Sequence, residues 1–206
     1  MTNTNTNLEI QYLMKLKTVQ ASAIRTLTEG LKDILTDTNI EFSPAGIKLL
    51  CMDGNHVSLV SLKLESQNFE HYECSNTFKI GLNILNFYKL IKIVGNNDTI
   101  SLSITTSDPT EMRIIIENTE KNSITQFDLK LLDIDDEELS IPDSEFETII
   151  TMPSSDFQRY CRDMVILGDT IIIESIGEKL VLKCQGDFAT QKTEIHSSSN
   201  NSQFSQ

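Results

Sequence analysis

Along much of the chain, apolar and polar positions alternate with a period of two. The runs "HVSLVSLKL" (56–64), "TISLSIT" (99–105), "MRIIIEN" (112–118), "ITQFDLKLL" (124–132), "FETIITM" (146–152), "TIIIES" (170–175) and "KLVLKC" (179–184) all follow it. Successive side chains on a strand point to opposite faces of a sheet, so this spacing predicts half-buried β-strands. Turn residues separate the runs at "MDGN", "VGNND", "SDP" and "IPDS". Many short strands spaced in this way predict antiparallel sheets.

Three segments switch to helical spacing. In "SAIRTLTEGLKDIL" (22–35), Ile24, Leu27, Leu31 and Leu35 form one apolar stripe. "NILNFYKLIKIVG" (83–95) gathers Ile84, Phe87, Tyr88 and Ile91, with Gly95 as its stop. "MPSSDFQRYCRDM" (152–164) takes Ser154 or Ser155 as N-cap and places Phe157, Tyr160, Cys161 and Met164 on one side. Helices among antiparallel strands give an α+β chain.

A long-range echo organises these elements. "DTNIEFSPAGIKLLCMD" (37–53) and "DTIIIESIGEKLVLKCQGD" (169–187) each follow a helix, begin with Asp-Thr and read strand–turn–strand. The offset is 132 at both Asp37/Asp169 and Ser43/Ser175, which points to a tandem duplication of one domain. The first copy holds two helices and the second one, so the second repeat reads as incomplete. The polar tracts at 1–11 and 196–206 lack the apolar area that offsets ordering entropy, so disorder is expected there.

Charge sharpens the picture. The net charge is −13, from 17 Lys+Arg against 30 Asp+Glu, which argues against a surface that binds nucleic acid all over. The three helical segments, however, hold six basic and only four acidic residues, leaving 11 basic and 26 acidic elsewhere. Arg25 and Lys32, Lys89 and Lys92, and Arg159 and Arg162 each share a helix face. Charged pairs on a helix surface are ordinary. Three such helices against an acidic background form a candidate phosphate-contacting surface.

Little else in the chain signals chemistry. At 206 residues, 39% hydrophobic and 23% charged, it has the composition of a globular protein of one large or two small domains. No apolar run is long enough for a transmembrane helix, and "MTNTNTNLEI" has neither a basic nor an apolar leader region. Cys51, Cys74, Cys161 and Cys184 are far apart and form no CxxC pair, so they read as reduced and mostly buried thiols. His56, His71 and His196 are scattered and suggest no metal site. No P-loop or nucleophile–base pair is visible, and neither an enzyme activity nor a cofactor is expected.

"LLDIDDEELSIP" (131–142) fits none of these classes. Five of its residues are acidic, yet Ile134, Leu139 and Ile141 punctuate it before Pro142. Together with "MDGNHVSLV" (52–60), "VGNNDTISL" (94–102), "LKDILTDTNIEFSPAGIKLLCMD" (31–53) and "MPSSDFQRYCRDM" followed by "GDTIIIES", it resembles the eukaryotic-type DNA sliding clamps of the proliferating cell nuclear antigen family. The order and spacing of these segments match from about residue 13 to about residue 195, and the Asn- and Ile-rich character resembles protist or giant-virus members.

The resemblance implies a DNA-clamp fold with antiparallel sheets outside and helices lining an inner face. It implies a first domain at 12–132, a connecting segment at 133–143 and a partial second domain at 144–195. The subunits would assemble head to tail as a homotrimer around double-stranded DNA, without sequence preference. Lys17, Arg25, Lys32, Lys89, Lys92, Arg159 and Arg162 fall at or beside the family's DNA-facing positions. Met52, His56, Val57, Leu59, Leu139, Ile141 and Pro142 fall in its pocket for a partner's short helical motif. That motif's Gln would meet His56, and its aromatics would enter the pocket.

Ile124, Phe127, Leu129 and Lys130 of one edge strand, with Phe188, Thr190 and Lys192 of another, fall where family subunits join. Expected partners are DNA polymerase, the clamp loader and other proteins with the motif, in the nucleus or at a viral replication site. No membrane partner is expected. The family continues beyond Ile195 with a fourth helix and further strands, so trimer assembly is expected if that part is present. Gly177 stands where members often carry a modified lysine. A second reading stays open: a chain that keeps the pocket without closing a ring, and so sequesters clamp ligands.

Overall fold

The computed structural model describes residues 11–135, 139–141, 145–146, 148–177, 179–196 and 204–205. The chain divides into two compact units between Ser140 and Ile141, inside the connecting segment expected at 133–143.

The first unit contains two antiparallel sheets. One has the order β5 (His71–Cys74), β1 (Tyr12–Thr18), β7 (Thr99–Thr105), β8 (Glu111–Asn118) and β9 (Ser123–Lys130). The other has the order β4 (Leu59–Glu65), β3 (Gly46–Met52), β2 (Asp37–Ser43) and β6 (Phe78–Asn83). Period-two patterning sends Met14, Leu16, Ile100, Leu102, Ile104, Met112, Ile114 and Ile116 of the first sheet into one core with Phe42, Ile47, Leu49, Ile80 and Leu82 of the second. Two helices seal that core: α1 (Ala21–Leu31) and α2 (Ile84–Ile91), the latter through Ile84, Phe87 and Ile91.

Two local devices fix the second sheet. Gly46 has φ 133° and approaches β4 so closely that a Cβ would lie 2.1 Å from the Leu64 carbonyl oxygen, a position only glycine fills. The Tyr72 hydroxyl donates to the carbonyls of Ser43 (2.8 Å) and Gly46 (3.0 Å), tying the β2–β3 turn to β5. Burial, with the neighbouring Cys74 thiol, pushes that phenol up to about 12.

The second unit contains α3 (Ser154–Val165), a sheet of order β11 (Ile171–Ile176), β12 (Lys179–Gln185) and β13 (Thr190–His196), and a small pair β10 (Ile149–Ile150) with β14 (Phe204–Ser205). Its core is Met164, Leu180, Leu182 and Cys184. Ile172, Ile173, Ile176, Val165, Ile166 and Phe188 remain more than half exposed. The sequence echo is visible as two hairpins, β2–β3 and β11–β12, each following a helix. Gly177 takes φ 58° in the second hairpin's turn, a left-handed conformation that a lysine would adopt only with strain.

Several expectations change at element ends. The strand predicted at 146–152 is confined to Ile149–Ile150, and the one predicted from His56 begins at Leu59. α1 stops at Leu31, and Leu35 reaches the core from the following turn at 2% exposure. α2 ends before Gly95, whose amide instead donates to Asp98 Oδ2 at 2.7 Å. Neither Ser154 nor Ser155 caps α3; Pro153 holds the N-cap, and its carbonyl accepts from Asp156 at 3.0 Å. Of the polar C-terminal tract, the described residues are His196, which ends β13, and Phe204–Ser205, which pair with β10 as β14. All four cysteines are free thiols, but only Cys184 is buried.

Candidate docking site and nucleic-acid face

In the first unit, the acidic connector lies against the open edge of β6. Leu132 donates its amide to the Gly81 carbonyl at 2.8 Å, forming an isolated bridge beside that strand. Glycine is required at 81, since a Cβ there would lie 2.4 Å from the Leu132 oxygen and 2.8 Å from Ile134. The Asn39 amide donates to the carbonyls of Ile134 (3.2 Å) and Asp135 (3.4 Å). These contacts hold Ile134 and Asp135 over β2.

A cavity of about 200 Å³ opens between this segment and the end of β3. Met52, His56 and Leu139, three of the expected pocket residues, line it. Sequence reasoning missed Asp37, Asn39, Leu50, Cys51, Asp53, Ile134 and Asp135, which line it too. The strand alternation that puts Asn39 and Leu50 on the same face was available to find two of them. Thr38, also in the lining, carries a buried hydroxyl with no hydrogen-bond partner among the described residues. Val57 is 81% exposed and, like Leu59, lies outside the lining, although Leu59 pairs directly with Met52. Ile141 belongs to the second unit and is 59% exposed, while Pro142 lies outside the described residues.

Among the described residues of the lining, Asp37, Asp53 and Asp135 give three carboxylates, with no Lys or Arg to offset them. The Asp53 carboxyl is held below the usual carboxylate range, first by the Ser58 amide and then by the Val57 amide. His56 adopts φ 54°, a left-handed conformation that costs a non-glycine residue about 1–2 kcal/mol.

The helical cations occupy different surroundings. α1 packs beside α2, and the Arg25 guanidinium donates to the Val94 carbonyl just beyond α2. Lys32 is held by Asp33 at 2.7 Å and lies 5.3 Å from the centre of the Tyr88 ring, whose hydroxyl donates to Glu29 at 3.0 Å. Asp33 raises the Lys32 pKa, so this ammonium stays charged. Lys89 and Lys92 are exposed, with Lys89 donating to Asn86 at 3.3 Å. Lys17 stands apart: it alternates with buried Leu16 and Thr18, and pairs with Glu117 at 3.0 Å on the sheet face turned away from the core that α1 and α2 seal. In the second unit, Arg159 lies 5.2 Å from the Tyr160 ring centre, and both it and Arg162 are exposed.

Among the edge strands of the described residues are β9 in the first unit, besides β5 and β4, and β13 in the second, besides β11. On β9, Ile124 is 73% exposed, whereas Phe127 and Leu129 pack against the core. Near β13, Phe188 is 75% exposed, and Lys192 pairs with Glu194 at 2.6 Å.

Comparison with known proteins decides the family. The family model for the proliferating cell nuclear antigen N-terminal domain matches residues 13–139, and that for the C-terminal domain matches residues 140–206. The chain belongs to the proliferating cell nuclear antigen family. A relative within reach is the probable DNA polymerase sliding clamp 1 of Paramecium bursaria Chlorella virus 1, 42% identical over 192 residues, covering 91% of this chain and 73% of that protein. The proliferating cell nuclear antigen of Dictyostelium discoideum is 33% identical, covering 85% of this chain and 68% of its own length. That of Chaetomium thermophilum is 31% identical, covering 91% and 72%. The two proliferating cell nuclear antigen domains meet between residues 139 and 140, one position from the division between the two units.

Proposed function

We propose that this protein is a DNA sliding-clamp subunit: a non-enzymatic processivity factor that encircles double-stranded DNA and tethers DNA polymerase and other replication and repair proteins. The observation that carries the reading is the pair of unlike open edges, β9 in one unit and β13 in the other. An open edge seeks a partner strand. Two different edges on one subunit pair head to tail, and such heterologous contacts close into a ring when the rotation permits. Ile124 and Lys130 of β9, facing Thr190 and Lys192 of β13 with Phe188 beside it, form that contact in a homotrimer.

Arg25, Lys32, Lys89 and Lys92 of the first unit and Arg159 and Arg162 of the second meet the phosphates. Backbone contacts of this kind are independent of sequence and sensitive to salt, as sliding requires. Lys17, on the opposite sheet face with Glu117, has no part in this surface. The cavity lined by Met52, His56 and Leu139, beside Val57 and Leu59, receives the short helical motif of polymerase, clamp loader and other partners. Its three carboxylates favour motifs flanked by basic residues. The site of action is the nucleus or a viral replication site.

The test is topological retention. Loaded on closed circular DNA, the protein should stay bound in high salt and be lost once the circle is cut. Light scattering after size exclusion should show a trimer. A persistent monomer at micromolar concentration, with no difference between circular and linear DNA, would leave only a module that binds partner peptides.

A further inference from the structure

The loop between β3 and β4 is organised by one side chain. Asp53 Oδ1 accepts from the amides of both Val57 (2.8 Å) and Ser58 (2.7 Å). The Asp53 amide donates to the Ser58 carbonyl, and the Asp53 carbonyl accepts from the His56 amide, both at 2.9 Å. These four bonds, which turn the chain here, therefore all close on the Asp53 side chain or its main chain. Packing contributes little, because residues 54–59 are exposed and Val57 is 81% exposed. Without that carboxylate, the two main-chain bonds of Asp53 would be left to hold His56 at its left-handed φ of 54°, with the Val57 and Ser58 amides released.

We propose that Asp53 is the positioning residue of the docking loop: its carboxylate holds the His56 turn, and so sets the imidazole at the rim of the cavity before a partner arrives. This rests on the docking reading above. A charged acceptor shared by two amides makes hydrogen bonds about twice as strong as neutral ones. Order already present in the free loop is order that binding need not supply, and affinity rises accordingly. The lowered pKa of this carboxyl agrees with the geometry, since the Ser58 and Val57 amides favour its charged form.

Two variants of the full chain test the idea. Asp53→Ala removes the acceptor, while Asp53→Asn keeps an oxygen that can accept both amides without the charge. The probe is a fluorescein-labelled synthetic peptide carrying the glutamine and the two aromatic residues of a short helical docking motif; binding is read by anisotropy. Hydrogen exchange at the Val57 and Ser58 amides, followed by NMR without peptide, reports the loop itself. Asp53→Ala should weaken binding roughly tenfold and speed both exchanges at least as much, and Asp53→Asn should recover most of each.

Unchanged exchange in Asp53→Ala overturns the positioning role whatever the peptide does. Faster exchange with unchanged affinity overturns its importance for docking. Weak binding by Asp53→Asn alongside slow, wild-type exchange would assign the effect to charge rather than loop geometry, and would also overturn it. A wild-type protein that does not bind the peptide, with exchange responding as expected, overturns the docking reading instead and the proposal's functional half with it.

Discussion

The Asn39 side-chain amide donates to the Ile134 carbonyl at 3.2 Å, fastening a strand of the first unit to a connector 95 positions away. With the Gly81–Leu132 bridge, it makes part of an acidic segment a fixed wall of the cavity. Replacing Asn39 with alanine should cost about 1 kcal/mol in chemical denaturation, the net value of such a bond. Peptide affinity should fall several-fold, measured by anisotropy. Gly81→Ala should act in the same direction and more strongly, because its Cβ would lie 2.4 Å from the Leu132 oxygen. Affinity unchanged in both variants would show that the wall is not part of the docking site.

Ile141→Ser addresses the far end of the same segment. Ile141 is 59% exposed, so its loss should change the denaturation midpoint little. As a residue of the proposed docking site it should still matter to affinity: peptide binding should fall by an order of magnitude, from about 1.5 kcal/mol of lost apolar burial. Normal binding would return residues 140–142 to the status of plain linker.

Charge reversal at Lys89 and Lys92 should weaken retention on circular DNA and leave peptide affinity unchanged. Each lost phosphate contact should reduce the slope of log affinity against log salt by about 0.9. Arg25 is a poorer test residue, because it also ties α1 to the Val94 carbonyl and its removal should lower stability as well. An unaltered salt slope in the Lys89/Lys92 variant would remove α2 from the proposed DNA face.

Acid should loosen the second unit's sheet through Glu194. Hydrogen bonds from Lys192 and then Lys179 lower its carboxyl to about 2, from an ordinary value of 4.5. The stabilisation is therefore complete above pH 4.5 and declines as the pH falls toward 2. The groups are exposed, so the effect is small and screened by salt. Comparing denaturation of wild type and Glu194→Gln across that range should show a difference at neutral pH that disappears in acid. A difference that persists in acid would exclude the ion pairs as its source.

Much of the fold was legible in the chain. The period-two runs became β4, β7, β8, β9, β11 and β12, because a strand with one buried face must alternate. Helical stripes became α1, α2 and α3 for the corresponding reason. Element ends were less legible. His56 reads as strand in "HVSLV", yet the bonds to Asp53 bend the chain until Leu59. A side-chain acceptor offering the backbone an alternative partner leaves no mark on hydrophobic periodicity.

The candidate site divides in the same way. Met52, His56 and Leu139 were identifiable from motif resemblance, whereas Asn39, Asp53, Gly81 and Ile134 were not. Their roles depend on which strands are neighbours and on the close approach of backbone 132–135 to β6.

By itself, then, the sequence determined most of the strands, though not β1, β5 or β6, together with the helices, the repeat and the segregation of positive charge onto helical segments, since each follows from side-chain period or residue type. Only the tertiary structure decided what surrounds each cation of the first unit. Lys17 and Arg25 are eight positions apart, yet strand alternation turns Lys17 toward Glu117 while Arg25 joins α1 to the end of α2. It likewise decided that part of an acidic linker is a wall, because hydrogen bonds between residues distant in sequence depend on where the chain returns, which local pattern does not specify.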